Sequence, residues 1–277
     1  MELDILRAIQ SAENPVFDIL ANIATVCASS VFLVLLICFV YWAVSREKGE
    51  QVMLALIGTL VVNNILKAII MRPRPIGEPG IRSTEVDSAT GSSFPSGHTQ
   101  NAAATAAGMY GAFRKRRFLI VGILAVLLVA WSRLYVVVHW PSDVLAGAAL
   151  GVLTSLILYR LTYYNVVEKK TAFAILAIAA VIAALICGQE DMIRTAALAC
   201  GAAVGVRIEH RFIRFSADGP VWKRTVRFLL GTAIVLGLYL GLKQVFPDAA
   251  IWLFVRYLIV TLGITVLCPW IFVKCKL

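Results

Sequence analysis

Long apolar segments recur along the chain and are separated by short polar or charged stretches. Segments of about 20 apolar residues can cross the hydrocarbon core of a bilayer as α-helices. Because lipid leaves no partner for unpaired backbone groups, such segments form helices with internal hydrogen bonds. The pattern predicts an all-α, polytopic transmembrane helix bundle with about nine spans. The first predicted span begins within residues 17–23 and ends at 44, and the others cover residues 52–70, 96–113, 118–137, 141–163, 171–187, 192–206, 226–245 and 251–273.

The segments divide the chain into three regions. Residues 1–16 contain a stretch that is too short to span and is typical of an amphipathic segment lying in the membrane interface. Residues 17–163 form the predicted membrane core, which includes a polar loop at residues 72–95 and every candidate catalytic residue. Residues 164–277 are predicted to add further C-terminal transmembrane helices.

Composition agrees with a membrane protein and the charge pattern indicates its orientation. The chain is 60% hydrophobic and 15% charged, whereas soluble domains are about half apolar and a quarter charged. The formal net charge of +10 is concentrated in short loops, which is typical of membrane topology and excludes nucleic acid as the expected partner. With nine spans, the tetrabasic run Arg114–Arg117 falls on the cytoplasmic side, and the 72–95 loop and the Trp140 junction fall on the other. The extra C-terminal spans favour a bacterial cytoplasmic membrane, with an extracytoplasmic active site.

The stretch Ser132–Asp143 combines residues that a simple membrane junction does not need. Arg133 offers a planar set of donors that fits phosphate oxygens. A neutral His139 can attack phosphorus, and Asp143 can hold the other ring nitrogen. Pro141 is tolerated in a first helical turn, so the next helix should begin near it. The alternative is an interfacial Arg and His beside a helix-starting Asp.

A second cluster, Lys67–Pro75, ends the preceding apolar helix. A lysine near the end of such a helix is costly unless it faces a wet or anionic cavity. Lys67 and Arg74 are therefore candidates for phosphate binding. The alternative is that these cations, with Arg72, anchor the helix at the interface.

A third cluster, Phe94–His98, comes just before a predicted helix. Ser96 can cap that helix, Gly97 allows a ligand to approach the backbone closely, and His98 lies in the first turn. Free N–H groups at a helix start favour an anion. The alternative is an ordinary serine cap with an interfacial histidine. The third histidine, His210, lies in a basic loop and is predicted to be solvated.

Taken together, the clusters resemble the type 2 phosphatidic acid phosphatase superfamily, which also contains glucose-6-phosphatases and vanadium haloperoxidases. The family pattern has three parts, and all three are present without departure between residues 52 and 163. They are Lys67 with Arg74 and Pro75; Pro95, Ser96, Gly97 and His98; and Ser132, Arg133, His139 and Asp143.

The resemblance implies a role for each matching residue. His139 would be the nucleophile and form a phosphohistidine, Asp143 would orient it, and His98 would protonate the departing oxygen. The phosphoryl oxygens would be held by the remaining set, which is Lys67, Arg74, Arg133, Ser96 and the Gly97 N–H. No metal or other cofactor is implied, and the clusters lack the carboxylates that Mg²⁺ would need.

The predicted function is hydrolysis of a lipid phosphate or diphosphate at the extracytoplasmic face, because such a site would lie where lipid head groups meet water. Two alternatives remain from the sequence. One is a phosphatase for a soluble phosphomonoester, and the other is a lipid transporter or partner-binding protein on the same fold. The oligomeric state does not follow from the sequence.

Overall fold

The computed structural model describes residues 1–86, 89 and 91–277, so part of the predicted 72–95 loop lies outside the described residues. Within them the chain forms helices and loops, with no strand. The helices are α1 (Glu2–Gln10), α2 (Pro15–Cys27), α3 (Ser30–Phe39), α4 (Arg46–Ile70), α5 (Gly97–Phe113), α6 (Arg116–Tyr135), α7 (Pro141–Tyr163), α8 (Lys169–Cys187), α9 (Glu190–Ile208), α10 (Val221–Val245), α11 (Ala250–Leu262) and α12 (Cys268–Lys274). Short π-helical turns extend α3 and α9 and join α11 to α12, at Val40–Val44, Glu209–Ile213 and Gly263–Leu267.

The structure does not support the predicted count of nine spans. Six helical segments of the described chain are long and apolar enough to cross a membrane: α4, α6, α7, α8, α10 and the continuous segment Ala250–Lys274. A seventh candidate is α2 with α3 and its π-helical turn, which are bent by 55° relative to each other. α5 has only 17 residues and is rich in small and polar ones, and α9 begins with charged residues. These two helices account for the excess in the sequence-based count.

The chain folds into two compact units. The first consists of residues 1–33 and 58–157, and the second of residues 34–57 and 158–277. Every predicted site residue lies in the first unit.

Within the first unit, α5 and α6 form an antiparallel pair. Only Arg114 and Lys115 separate them, and the helices pack closely enough that a Cβ on Gly122 would lie 2.8 Å from the Cβ of Ala106. α6 has 20 residues and is therefore about 30 Å long. The basic connection at Arg114 and the loop that follows Tyr135 consequently lie at opposite ends of this pair.

The start of α7 is held against the start of α5 by glycines. A Cβ on Gly147 would lie 2.7 Å from the carbonyl oxygen of Ser96. A Cβ on Gly151 would collide with the carbonyl oxygen of Gln100. Small residues one helical turn apart let two membrane helices approach closely. The Ser96 N–H also donates to the carbonyl oxygen of Asp143 over 3.0 Å. This packing brings the first turns of α5 and α7 together.

Replacing Gly151 by alanine should destabilise the protein, although alanine normally favours a helix over glycine by about 1 kcal/mol. The added methyl group would be forced against the Gln100 backbone, and such overpacking typically costs about 1–3 kcal/mol. Gly237 in α10 is the matched control, because a Cβ there meets nothing within 4 Å. Thermal unfolding in detergent, followed by tryptophan fluorescence, should show a lower transition temperature for Gly151→Ala and no loss for Gly237→Ala. Equal transitions would contradict the packing.

In the second unit, buried carboxylates form an ion-pair network. Glu50 and Glu209 are 1% and 0% exposed. Arg46 lies 3.2 Å from Glu209, and Lys169 lies 3.3 Å from Glu50. The sequence predicted a solvated His210, and this prediction is wrong. The side chain is half-buried, and its Nε2 lies 2.6 Å from the Glu50 carboxylate. The cations already neutralise the carboxylates, so the cluster is best described as a structural network.

Candidate active site

His139 lies in the loop between α6 and α7, and its side chain is almost fully buried. α7 begins at Pro141, and Asp143 lies in its first turn, as the sequence predicted. The chain therefore leaves α6, places His139 in a short loop and re-enters a helix within a few residues. This geometry fixes the imidazole beside the beginning of α7.

Arg74 brings the 72–95 loop to His139. Its Nη1 lies 3.3 Å from His139 Nε2 and donates to the carbonyl oxygen of Val138 over 2.8 Å. Two further carbonyl groups, of Gly91 and Ser92, accept hydrogen bonds from the same guanidinium. A guanidinium can only donate, so the facing His139 Nε2 carries a lone pair and the ring proton sits on Nδ1. Nε2 is thus the nitrogen available to attack an electrophile.

Asp143 does not contact His139 as directly as predicted. Its Oδ2 lies 3.7 Å from His139 Nδ1, which is longer than a hydrogen bond. Instead, the Ser93 hydroxyl donates to Oδ2 and lies 3.4 Å from Nδ1. The backbone N–H of Trp140 also donates to Oδ2, over 2.8 Å. The carboxylate is thus fully buried and held by several donors.

Arg72 provides another contact that the sequence did not reveal. Its Nη1 donates to Asp143 Oδ1 over 2.8 Å, and its Nη2 lies 2.6 Å from Glu2 in α1. Glu2 also accepts hydrogen bonds from the N–H and hydroxyl of Ser142. α1 is therefore tied to the start of α7, and Arg72 is more than an interfacial anchor.

The start of α5 supplies Ser96, Gly97 and His98. Ser96 is at the N-cap position but its hydroxyl makes no cap bond; it lies 3.1 Å from the Thr99 hydroxyl. A Cβ on Gly97 would be 3.8 Å from the ammonium nitrogen of Lys67. Lys67 in the last turn of α4 is thus next to the first N–H groups of α5.

Hydrogen bonds inside the first unit hold α4 against α5. The Asn63 amide donates to Gln100 Oε1 over 2.7 Å, and the Gln100 amide donates to the hydroxyl and carbonyl oxygens of Thr59. All three side chains are buried. This amide network fixes the end of α4, and hence Lys67, relative to the start of α5.

His98 is half-buried and lies within electrostatic range of four other predicted site residues, Arg133, His139, Lys67 and Arg74. Arg133 is 1% exposed. One of its guanidinium nitrogens donates to the Thr25 hydroxyl of α2, a partner that the sequence did not indicate. The Glu85 carboxylate is also within electrostatic range of Arg133.

The structure therefore gathers all eight predicted site residues at one end of the α5–α6 pair. Burial lowers the pKa of His139 to about 4; the charges of Arg74 and Lys67 act in the same direction, while Asp143 opposes them. A neutral imidazole whose Nε2 lone pair faces the Arg74 guanidinium, with further cations nearby, is suited to attack on a phosphoryl group bound to those cations.

Comparisons with known proteins match two parts of the chain to family models. A family model described as "PAP2 superfamily" matches residues 50–167, which include the whole candidate site. A second model, described as "PAP2 superfamily phosphatase, transmembrane extension", matches residues 193–277.

Curated relatives match parts of the chain. The undecaprenyl-diphosphatase of Sulfolobus acidocaldarius is 31% identical over 107 residues, covering 39% of this chain and 52% of its own length. The undecaprenyl-diphosphatase BcrC of Bacillus subtilis is 26% identical over 164 residues, which cover 58% of this chain and 83% of BcrC. Phosphatidylglycerophosphatase B of B. subtilis is 36% identical over 112 residues, which cover 36% of this chain and 52% of that relative. The chain thus spans about half the length of the first and third relatives.

Among solved structures, the crystal structure of LpxE from Aquifex aeolicus is similar, with a TM-score of 0.51 and 26% sequence identity. The match covers 56% of this chain and 93% of LpxE.

Proposed function

Because this chain belongs to the PAP2 superfamily, we propose that it is an integral-membrane phosphatase that hydrolyses a lipid phosphate or a lipid diphosphate. The printed names of the curated relatives support a lipid substrate, since they include two undecaprenyl-diphosphatases and a phosphatidylglycerophosphatase. The observation that carries the proposal is the 3.3 Å contact of Arg74 with His139, which joins two segments of the family pattern that are distant in sequence.

In the proposed mechanism, His139 Nε2 attacks phosphorus and the bond from phosphorus to the leaving oxygen breaks. Burial and the neighbouring cations lower the pKa of His98 to about 3 in the substrate-free protein, so His98 takes up its proton together with the bound phosphate. It then gives this proton to the departing oxygen, which leaves as an alcohol or a lipid monophosphate. Water then attacks the phosphohistidine, a proton passes to His98, and inorganic phosphate and neutral His139 are released. The phosphoryl oxygens are held by a set of donors comprising Lys67, Arg74, Arg133, Ser96 and the Gly97 N–H.

The lowered pKa of His139 predicts an unusual acid limit for the reaction. Above about pH 4 the imidazole is neutral and can attack, and below it Nε2 is protonated. We expect the limb of the kcat/KM profile that reports protonation of His139 to lie below about pH 4, where kcat/KM falls about tenfold per pH unit. An acid limb of kcat/KM whose midpoint lies near the ordinary histidine pKa of about 6.5 would contradict this prediction. Unfolding should be measured at each pH, because the unfolded chain binds this proton between about pH 4 and 6.5 and stability declines there on acidification.

The site is proposed to face the extracytoplasmic side. The connection at Arg114 and Lys115 lies at the end of the α5–α6 pair opposite His139, and clustered Lys and Arg favour the cytoplasm. Cysteine substitutions at Glu78 in the site loop and at Lys115 test it in intact cells. A membrane-impermeant thiol reagent should label only the first, and labelling of only the second would reverse the orientation.

The reaction is proposed to need no metal, because Lys and Arg side chains surround the phosphoryl position where a metal would otherwise neutralise charge. EDTA should therefore change the rate less than about twofold. Restoration of an EDTA-inhibited enzyme by Mg²⁺ would contradict this proposal.

Phosphate release by the purified protein tests the function as a whole. The substrates are undecaprenyl diphosphate, phosphatidylglycerophosphate, phosphatidate and glucose 6-phosphate, in detergent micelles. Turnover of one or more lipids, without competition by the sugar phosphate, is the expected result. Preference for the sugar phosphate would indicate a soluble phosphomonoester, and absence of release with lipid movement between vesicle leaflets would indicate a transporter.

A further inference from the structure

We propose that the Ser93 hydroxyl is the link through which Asp143 orients the nucleophile His139, so that Ser93 is a positioning residue of the reaction. The inference rests on the proposed phosphatase function and adds a residue that lies outside the three-part family pattern described above.

The distances place Ser93 between the two side chains. Its Oγ is 3.4 Å from His139 Nδ1 and donates a hydrogen bond to Asp143 Oδ2, whereas Nδ1 and Oδ2 are 3.7 Å apart. The carboxylate can only accept, so the serine proton points to Asp143 and the serine lone pairs face the Nδ1–H of His139. A hydrogen-bonded chain therefore runs from the ring to the carboxylate through one hydroxyl.

The surrounding structure holds Ser93 in this place. The residue is 0% exposed, and its N–H donates to the carbonyl oxygen of Arg72 over 2.8 Å. Arg72 in turn donates to the other carboxylate oxygen of Asp143. The donors on Asp143 thus restrict the carboxylate, and the backbone of Arg72 restricts Ser93, so the hydroxyl has little freedom to turn elsewhere.

The link supports catalysis in two ways. It keeps the proton on Nδ1, which leaves the lone pair on Nε2 for attack on phosphorus. Through the polarised hydrogen bonds, the negative charge of Asp143 also stabilises the positive charge that develops on the ring during phosphohistidine formation. Neither effect requires proton transfer through Ser93.

A serine-to-alanine change should remove one hydrogen bond within a charged chain. We expect Ser93→Ala to lower kcat roughly 10- to 100-fold with KM changed less than about threefold. Ser83→Ala is the matched control, because that hydroxyl donates to the carbonyl of Val137 in the His139 loop over 3.2 Å but contacts neither side chain of the pair. Its kcat should stay within about threefold of the wild type.

A double-mutant cycle distinguishes a link from a merely structural role. If Asp143 acts through Ser93, the Ser93→Ala/Asp143→Ala protein should have nearly the same kcat as Asp143→Ala alone. Rate losses that multiply would overturn the inference. Wild-type kcat in Ser93→Ala would overturn it as well, because Asp143 would then reach His139 without help.

Folding is checked by the thermal transition of each variant. If Ser93→Ala does not fold, Ser93→Cys decides, because its slightly larger side chain keeps the space filled but replaces the hydroxyl by a much weaker hydrogen-bonding thiol. It should fold and show a reduced kcat, and an unreduced kcat would refute the link. A wild-type protein that releases no phosphate from any lipid would instead refute the proposed function, so the two failures are distinguishable.

Discussion

Replacing His139 by alanine is expected to abolish phosphate release from every lipid substrate, to below about 10⁻⁴ of the wild-type rate. The change removes the imidazole that the proposed mechanism uses as the nucleophile, so no phosphohistidine can form there. Phosphate release from labelled lipid measures the loss. Because His139 is buried, the variant's thermal transition must be compared with that of the wild type.

The third histidine offers a matched control. His210→Gln keeps a donor near Glu50 in the second unit and alters no predicted site residue, so its rate should remain within about threefold of the wild type. Substantial turnover by a folded His139→Ala protein would rule out the covalent route through this residue.

Replacing His98 by alanine is expected to lower kcat by about 10² to 10⁴, the usual range for loss of a general acid or base. The nucleophile is retained, so the reaction should continue slowly. The loss should depend on the leaving group. A lipid diphosphate expels a phosphate monoester, which needs less protonation than the alkoxide expelled from a lipid monophosphate.

Rates for the monophosphate and diphosphate of one lipid, measured with the wild type and with His98→Ala, therefore separate acid catalysis from simple binding. The variant should lose more activity on the monophosphate. An equal loss on both substrates, with a raised KM, would assign His98 to phosphate binding instead.

The sequence predicted the local structure around His139 more successfully than the number of spans. Pro141 and Asp143 lie in the first turn of α7, and His139 lies just before it. This local structure could be predicted because a proline and an aspartate at a helix start are strong sequence signals. The spacing of Lys67, Arg74 and His98 was informative only through the family pattern, since their convergence depends on how α4, α5 and α7 pack.

The span count failed for a physical reason. Apolar runs in the sequence do not show where helices begin and end: α5 has only 17 residues, many of them small or polar, and α9 begins with two carboxylates, so neither is among the candidate spans. Ser93 and Glu2 escaped notice because one serine in a polar loop and one acidic residue near the N-terminus carry no local signal. Their contacts with Asp143 and Ser142 span 50 and 140 residues of sequence.

The most direct test of the account is to trap the phosphorylated enzyme. The wild-type protein would be mixed with a lipid substrate labelled in its transferable phosphate, quenched in alkali within one turnover, and digested. A phosphohistidine at His139 predicts a label that is stable to alkali, labile to acid and confined to the peptide containing His139. The label should increase in His98→Ala if that change slows dephosphorylation more than phosphorylation. A label on another residue, or full turnover with no trapped label in any variant, would contradict it.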